Sequence, residues 1–156
     1  IGYISGLSRL STTVERLTAY RDAMIHYNLP ILDGFIQQGD SMSRSAVPHL
    51  AHLLEIGCTA VVVGNNVMAD DVLYYLNEHD IKIGHGFSMI GYDDTDHTNY
   101  NMRRMHMVRQ PAKDLGRLAG QQILERMEFP DRPIKSIVLQ ANFVPRRTSQ
   151  VPSSFF

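Results

Sequence analysis

The chain has 156 residues, of which 44% are hydrophobic, and it carries 15 basic and 16 acidic side chains. That length suits one domain with a single core, and the balanced charge argues against a surface that holds nucleic acid by itself. No apolar run reaches the roughly 18 residues of a membrane span, and no secretory leader is recognisable. The single cysteine cannot form an internal disulfide, so we expect a reducing, cytoplasmic setting.

Strand and helix signals alternate through the first half of the chain. Residues 1–6 predict a strand, and Thr12 with Glu15 three residues later forms a capping box at the start of a helix. Asn28 and Pro30 are expected to end that helix. The pattern then predicts a strand at 34–38, a helix at about 44–56 that Gly57 stops, a buried strand at 60–63 and a helix at about 66–79.

The second half continues this alternation with one irregular stretch. The predicted elements are strands at 81–83 and 87–92, one helical turn at 95–101, a strand at 107–108, a helix at 111–127 and a strand at 136–144. This order predicts an α/β fold with a mostly parallel, doubly wound sheet in three α/β/α layers. The helix at 111–127 has a broad apolar stripe but follows a polar, Met-rich segment. We therefore expect it to pack on a lobe whose other strands are absent from this chain.

Polar side chains follow three of the predicted strands at the point where each strand ends. Thr12 and Arg16 follow the first strand, Asn65 follows the central strand, and Asp93 follows the strand at 87–92. Ligands bind at the carboxyl ends of the strands in open α/β sheets, so these residues are candidates for a binding pocket. Each also has a structural explanation: Thr12, Asn65 and Asp93 could be helix caps, and Arg16 could pair with a carboxylate.

Catalytic and metal-binding patterns are weak in this sequence. No serine or cysteine lies in a nucleophile-elbow context with a placed base. His49 and His52 have helical spacing for a metal but lack a third well-placed ligand. We therefore expect no catalytic residues, no metal and no cofactor.

Six segments together resemble a known family. They are IGYISG, ERLTAYRDAM, VVVGNNVMADDVL, SMIGYDDTD, VRQPAKDLGRLAGQQILERM and FVPRRTS. In this order and spacing, the chain resembles the C-terminal part of the effector-binding region of LacI/GalR-type transcription repressors, which are relatives of the periplasmic sugar-binding proteins. The resemblance implies a type I periplasmic-binding-protein-like lobe at 1–106. It also implies a crossover strand, helix and returning strand at 107–144 that associate with the N-terminal lobe, and a return segment with a flexible tail at 145–156. The DNA-binding domain and most of the first lobe are then expected to be absent from this chain.

The same resemblance implies roles for individual residues. Arg16, Asn65 and Asp93 match effector contacts of the family, Gln110 matches a glutamine near the cleft, and Thr12 is a weaker candidate. The set suits a polyol, because Arg16 offers paired donors, Asp93 accepts from hydroxyls and the amide of Asn65 does both. One departure is that Ser41 and Met42 follow Gly39-Asp40, where many relatives have an aromatic residue that stacks on the ligand.

A homodimer is a further implication of the resemblance. The predicted helix at 66–79 is the candidate interface, because its apolar residues cannot all face one core. These interface candidates are Val67, Val72, Leu73, Tyr74 and Tyr75.

The predicted function is the effector-sensing domain of a DNA-binding transcriptional repressor. The expected effector is a small polar metabolite, in particular a sugar or sugar derivative, that shifts lobe closure and operator affinity. Operator DNA would be contacted only through the absent N-terminal domain, and no membrane is involved. The alternative is a solute-binding receptor of a sugar transport system, which predicts a secretory leader upstream. A sugar-processing enzyme is a more distant alternative, because it needs an acid–base pair in the cleft.

Overall fold

The computed structural model describes residues 1–93 and 105–146, and strands alternate with helices through most of this part of the chain. The strands are β1 (Gly2–Ser5), β2 (Ile36–Gln38), β3 (Ala60–Val63), β4 (Ser88–Tyr92), β5 (His106–Arg109) and β6 (Asn142–Val144). The helices are α1 (Ser11–His26), α2 (Val47–Glu55), α3 (Asn66–Glu78) and α4 (Ala112–Glu128). The predicted helical turn at 95–101 and most of the predicted tail lie outside the described residues.

The strands form one sheet in the order β2-β1-β3-β4-β5-β6. The first five strands are parallel, and β6 runs antiparallel to β5. Tyr3 lies opposite Ile36 on one side and Val62 on the other, so β1 is a central strand. The predicted mostly parallel, doubly wound α/β fold is confirmed.

The two faces of the sheet are covered by different helices. On one face, α1 packs Tyr20 and Met24 against Tyr3 of β1. On the other face, α2 and α3 cover side chains such as Ile4, which points opposite to Tyr3 because successive residues of a strand alternate in direction. The fully buried members of this larger core include Leu50, Leu53, Val61, Val63, Met68, Val72, Leu76, Met89, Met105 and Met107. The sheet is therefore apolar on both faces, as expected for parallel strands.

The start of α1 differs from the prediction. The helix begins at Ser11, its N-cap is Leu10, and no side chain caps it. A backbone turn places the Leu10 carbonyl oxygen to accept from the amides of Thr13 and Val14, at 3.0 and 3.1 Å. The predicted Thr12 capping box is therefore wrong, because the turn starts the helix before Thr12.

Two strand predictions in the second half are wrong in extent. Residues 81–83 do not form a strand, and Ile83 makes only an isolated bridge to Phe87. Gly84 and Gly86, with φ of 85° and 92°, form a tight turn after residue 83, and the strand that follows, β4, pairs with β3. The strand predicted at 136–144 is reduced to β6, and Val138 is 92% exposed.

The two long helices of the second half differ in burial. Six residues of α3 are buried, whereas none of the residues of α4 is. Val72 and Leu73 belong to the core of this chain, which corrects their prediction as interface residues. None of the helices in the described part is long and apolar enough to span a membrane.

Candidate functional site

The predicted site residues lie around the carboxyl ends of the parallel strands. Arg16 reaches this edge from α1. Its Nη1 donates to the carbonyl oxygen of Gly64, directly after β3, at 2.6 Å. Its guanidinium lies over the ring of Tyr92, the last residue of β4, 4.1 Å from the ring centre. A half-buried cation is thus fixed between the ends of two neighbouring strands, by a hydrogen bond and a cation–π contact.

Among the described residues, Arg16 makes no carboxylate pair of the kind that the sequence left open. In the described part of the chain, ion pairs join arginines of the α4 region to nearby carboxylates, and Arg16 is in none of them. A guanidinium has five N–H donors, and Gly64 takes only one of these. The remaining donors can bind a small polar molecule at this edge.

Asn65 caps α3. Its side-chain oxygen accepts from the backbone amide of Met68 at 2.8 Å, and its backbone is extended. The structure therefore supports the capping role that the sequence offered as an alternative. The amide NH₂ of Asn65 is still a donor at the same edge, so a ligand contact through that group stays a prediction.

Asp93 and Gln110 are brought together across two strands. The side-chain amide of Gln110 donates to the Asp93 carboxylate, and the Asp93 backbone amide donates to Val108 at 2.9 Å. Asp93 has a φ of 65°, in the left-handed region that Asp tolerates better than most residues. The strand-end turn and the Gln110 contact thus set the position of this carboxylate.

Thr12 is exposed on the first turn of α1, whereas the neighbouring Thr13 is buried. The Thr13 hydroxyl lies 3.0 Å from the position that a Cβ on Gly6 would occupy, and the Ser41 hydroxyl lies 2.4 Å from it. A side chain at position 6 would therefore require the Ser41 hydroxyl to move and would crowd that of Thr13. Ser41, with a φ of 67°, lies against this strand end, where the sequence predicted that the aromatic platform of many relatives is absent.

Tyr3 and Tyr92 are residues of the site that sequence reasoning missed as functional side chains. Burial raises the pKa of Tyr3 to about 12 and also raises the pKa of Tyr92. The charge of Arg16 partly opposes both shifts, which makes it an electrostatic neighbour of the two rings. A tyrosine within an apolar strand is normally interpreted as a core residue. Only the GY sequence directly before Asp93 pointed to Tyr92 as a residue of the site.

A second surface feature is a groove of about 890 Å³ between the start of α2 and the outer side of α3. It is lined by polar, apolar and charged groups, among them Arg44, Pro48, Asp70 and Tyr74. Burial, with the charge of Asp71, raises the pKa of Asp70. Among the described residues, no three His, Cys, Asp or Glu side chains converge as metal ligands would.

A periplasmic binding protein-like domain model matches residues 1–149. A PurR-type HTH transcriptional repressor from Vibrio campbellii is 27% identical over 150 residues, which is 95% of this chain and 45% of the repressor. A probable HTH-type transcriptional regulator, EndR from Paenibacillus polymyxa, is 27% identical over 125 residues, 79% of this chain and 36% of the regulator. The chain thus spans less than half the length of the curated relatives that it matches.

The fold is also shared with a solved structure. A LacI-family regulator from Corynebacterium glutamicum superposes with a TM-score of 0.85 at 20% identity, over 96% of this chain and 57% of that one. The predicted family is therefore confirmed. The chain belongs to the periplasmic binding protein-like domain family, and its resemblance within that family is to the LacI-type transcription regulators.

Proposed function

We propose that this chain is the effector-sensing part of a transcriptional repressor and that its effector is a small polar metabolite, in particular a sugar. The observation that carries the proposal is Arg16, a half-buried guanidinium anchored at the strand ends with most of its donors free for a ligand. The relatives are regulators rather than enzymes, and one structure of the same fold is a CelR regulator in complex with cellobiose.

The neighbouring groups supply the complementary chemistry for hydroxyl recognition. The Asp93 carboxylate has four lone-pair sites, and Gln110 occupies one of them. The NH₂ of Asn65 adds a donor whose direction is set by the cap that its oxygen makes. Donors and an acceptor at the same edge of the sheet can bind vicinal hydroxyl groups. A site built from such groups discriminates strongly against analogues that lack a hydroxyl.

The proposal includes a second lobe. Residues 1–106 would form the C-terminal lobe and 107–144 the crossover, although β5 pairs with β4 and so keeps residues 107–109 in the present sheet. The exposed apolar face of α4 supports packing on another lobe. An effector held between the lobes would favour one closure state through its differential affinity, and a DNA-binding domain would then respond to that state.

The test is a thermal-shift screen of monosaccharides and disaccharides, including cellobiose, on the protein in its natural length. The sugar with the largest stabilisation is then titrated by calorimetry into wild type, Arg16→Ala and Arg21→Ala. Arg21 is exposed on the same helix, so Arg21→Ala is the matched control. We expect Arg16→Ala to lose about 1.5–3 kcal/mol of binding free energy, the range for hydrogen bonds to charged groups.

Unchanged affinity of Arg16→Ala, with Arg21→Ala also unchanged, would contradict the assignment of the site. A screen in which no sugar stabilises the protein would contradict the sugar class while leaving the fold as it is. Equal losses in both variants would point to a general effect of removing positive charge from α1.

We also propose a homodimer through the outer side of α3 and the groove beside it. Tyr74 is 67% exposed, Val67 is exposed next to the start of the helix, and Tyr75 is half-buried. Arg44 and Asp70 give the groove both signs of charge, which suits a self-complementary contact between two copies. Val72 is fully buried beneath this surface, whereas Leu73, which is 8% exposed, lines the groove.

Sedimentation velocity tests the dimer proposal. Tyr74→Glu places a charge in the centre of the proposed interface, and we expect it to produce a monomer. Tyr27→Glu is the matched control, because Tyr27 is 70% exposed and lies at the far end of α1. A dimer that survives Tyr74→Glu, or a wild type that is monomeric at high concentration, would exclude this interface.

A further inference from the structure

Thr13 is a buried polar residue whose side chain has no hydrogen-bond partner within the described part of the chain. Apart from tyrosines, the polar or charged residues buried there are Ser5, Thr13 and Asp71. The Ser5 hydroxyl donates to the carbonyl oxygen of Gln37 at 3.1 Å, and the Asp71 carboxylate accepts from the amide of Ala46 at 3.4 Å. Thr13, which is 8% exposed, is thus the one of these three whose side chain is not satisfied by a described residue.

The position of Thr13 in α1 is one that an apolar side chain would fill. The buried residues of the helix are Thr13, Tyr20 and Met24, so Thr13 begins the face that packs towards the sheet. The next residue, Val14, is 52% exposed, so the threonine of this neighbouring pair is turned inwards and the valine outwards. Valine has the branched shape of threonine without the hydroxyl. The packing of α1 therefore does not explain why a hydroxyl is buried here.

The Thr13 hydroxyl lies at the carboxyl end of β1, together with a second hydroxyl. Its oxygen is 3.0 Å from the position that a Cβ on Gly6 would occupy, and the Ser41 hydroxyl lies against the same position. Gly6 directly follows β1, and Ser41 belongs to the loop after the neighbouring strand β2. Ser41 is half-buried and, like Thr13, has no side-chain hydrogen bond to a described residue. Two neutral hydroxyl groups with unused donors and acceptors thus converge at one place.

The Thr13 hydroxyl can be reached from solvent in spite of its burial. Among the described residues, the only side-chain polar atom that is both fully buried and without a partner is the hydroxyl oxygen of Tyr3. The Thr13 oxygen also lacks a partner, so the exposed part of Thr13 includes this oxygen. A molecule at the strand ends can therefore contact it without opening the core.

This pair of hydroxyls lies next to the anchor of Arg16. The Gly64 amide donates to the carbonyl oxygen of Ile4 at 2.8 Å, which joins the end of β3 to the end of β1. The Gly64 carbonyl oxygen in turn accepts from Arg16. Thr13 lies one helical turn before Arg16 on α1, so both side chains leave the same side of the helix. The charged group and the neutral groups therefore border one surface at the ends of β1 and β3.

We propose that the Thr13 and Ser41 hydroxyls form a second subsite of the effector site, which binds hydroxyl groups of a polyol beside the part held by Arg16. Each of the two can donate one hydrogen bond and accept two, which matches the donor and acceptor capacity of an alcohol group. An effector without a hydroxyl at this place leaves the Thr13 group unpaired, so the subsite selects against the corresponding deoxy analogue. This inference rests on the proposed function and adds two residues that determine its specificity.

The first test compares Thr13→Val with Thr12→Val in the protein of natural length. Thr12 is exposed on the same turn of α1, which makes Thr12→Val the matched control. The probe is the sugar that stabilises the wild type most among glucose, galactose, ribose and cellobiose. We expect Thr13→Val to bind it about 2- to 12-fold more weakly, the range for one neutral hydrogen bond, and Thr12→Val to keep the wild-type affinity. Without sugar, Thr13→Val should unfold at the wild-type temperature or higher, because it loses no partner.

The outcomes separate this subsite from the proposed function. Wild-type affinity in Thr13→Val, with a loss of affinity in Arg16→Ala, would overturn the subsite alone. Wild-type affinity in both variants, or a wild type that binds none of the four sugars, would overturn the subsite and the sugar site together. A lower unfolding temperature of Thr13→Val without sugar would show that the hydroxyl stabilises the fold, which would also contradict the proposal.

The second test uses monodeoxy analogues of the same sugar, because they distinguish a direct contact from a change of shape. We expect one analogue to bind the wild type more weakly than the parent sugar does, and to bind Thr13→Val as tightly as the parent sugar does, because the variant already lacks that contact. Ser41→Ala should behave in the same way, and Ser43→Ala is its control because Ser43 is exposed in the same loop. If every analogue loses the same factor in wild type and in both variants, neither hydroxyl contacts the sugar and the proposal is refuted.

Discussion

Helices α3 and α4 both have an amphipathic pattern, but they differ in how far their apolar residues are buried. In α3, Met68, Val72 and Leu76 are fully buried against the sheet. In α4, Ile123 is 61% exposed and Met127 is 73% exposed. The two helices also differ at their first residues, because Asn65 caps α3 with its side chain and no side chain caps α4.

This difference shows that an apolar stripe specifies which side of a helix is to be buried but leaves open what buries it. The stripe of α3 meets the strands of its own sheet because a right-handed crossover between parallel strands places the helix on that face. The α4 helix instead connects β5 to the antiparallel β6. Its stripe is free to contact a surface other than this sheet, as the proposed second lobe requires.

The largest expected effect is the loss of a buried leucine from α3. Leu76→Ala should lower the free energy of unfolding by about 2–5 kcal/mol, because it leaves a cavity in the core. Ile123→Ala in α4 should change the stability of the 156-residue chain by less than about 0.5 kcal/mol. Urea unfolding followed by circular dichroism measures both values.

The same pair of variants in a longer natural form sharpens the contrast. If α4 packs on a second lobe, Ile123→Ala should become costly there, whereas the effect of Leu76→Ala should stay as it is. A small effect of Ile123→Ala in both forms would contradict the proposed packing of α4.

Alkaline pH should lower the stability of the packed region around Tyr3 rather than that of α4. The pKa of Tyr3 is raised by burial from 10.0 to about 12, so the folded protein holds this proton more tightly than the unfolded chain. The stabilisation is complete below pH 10 and is lost as the pH rises towards 12, by at most about 1.4 kcal/mol per pH unit. Urea midpoints of wild type and Tyr3→Phe across this range measure it, and an equally steep loss in the variant would show that Tyr3 is not responsible.

Removal of the cap of α3 is expected to have a smaller effect. Asn65→Ala should lower the free energy of unfolding by about 0.5–2 kcal/mol, because the Met68 amide loses its acceptor. Asn66→Ala, one residue later and without the capping bond, is the control and should cost less. The prediction fails if the two variants are equally stable in chemical denaturation.

The smallest effect is expected for the ion pair on α4. Arg117 and Asp114 lie 3.3 Å apart, and both side chains are more than half exposed. Such a pair contributes about 0–1 kcal/mol, so Asp114→Asn should leave the unfolding midpoint almost unchanged. If Asp114→Asn clearly lost stability, and this loss became smaller at high salt, the ion pair would stabilise α4 more than its exposure indicates.

The sequence by itself determined the order of most of the elements, because hydrophobic periodicity and helix-stop residues are local signals. It predicted the ends of α3 to within one residue, and it predicted Gly57 as the residue that stops α2. Gly57 lies just after that helix and has a φ of 84°. Where local signals misled, a backbone contact had decided the outcome. A backbone turn starts α1 before Thr12, where the sequence predicted a capping box. A tight turn at Gly84 and Gly86 follows residues 81–83, where the sequence predicted a strand.

Only the tertiary structure decided what the candidate site residues contact. Arg16 and Asp93 are 77 positions apart in the sequence numbering, yet each lies against an end of β4, one at the ring of Tyr92 and the other as the next residue. Whether Val72 faces a partner or a core likewise depends on where the sheet passes. These contacts join residues far apart in sequence, so they are set by strand pairing and burial, which local patterns do not encode.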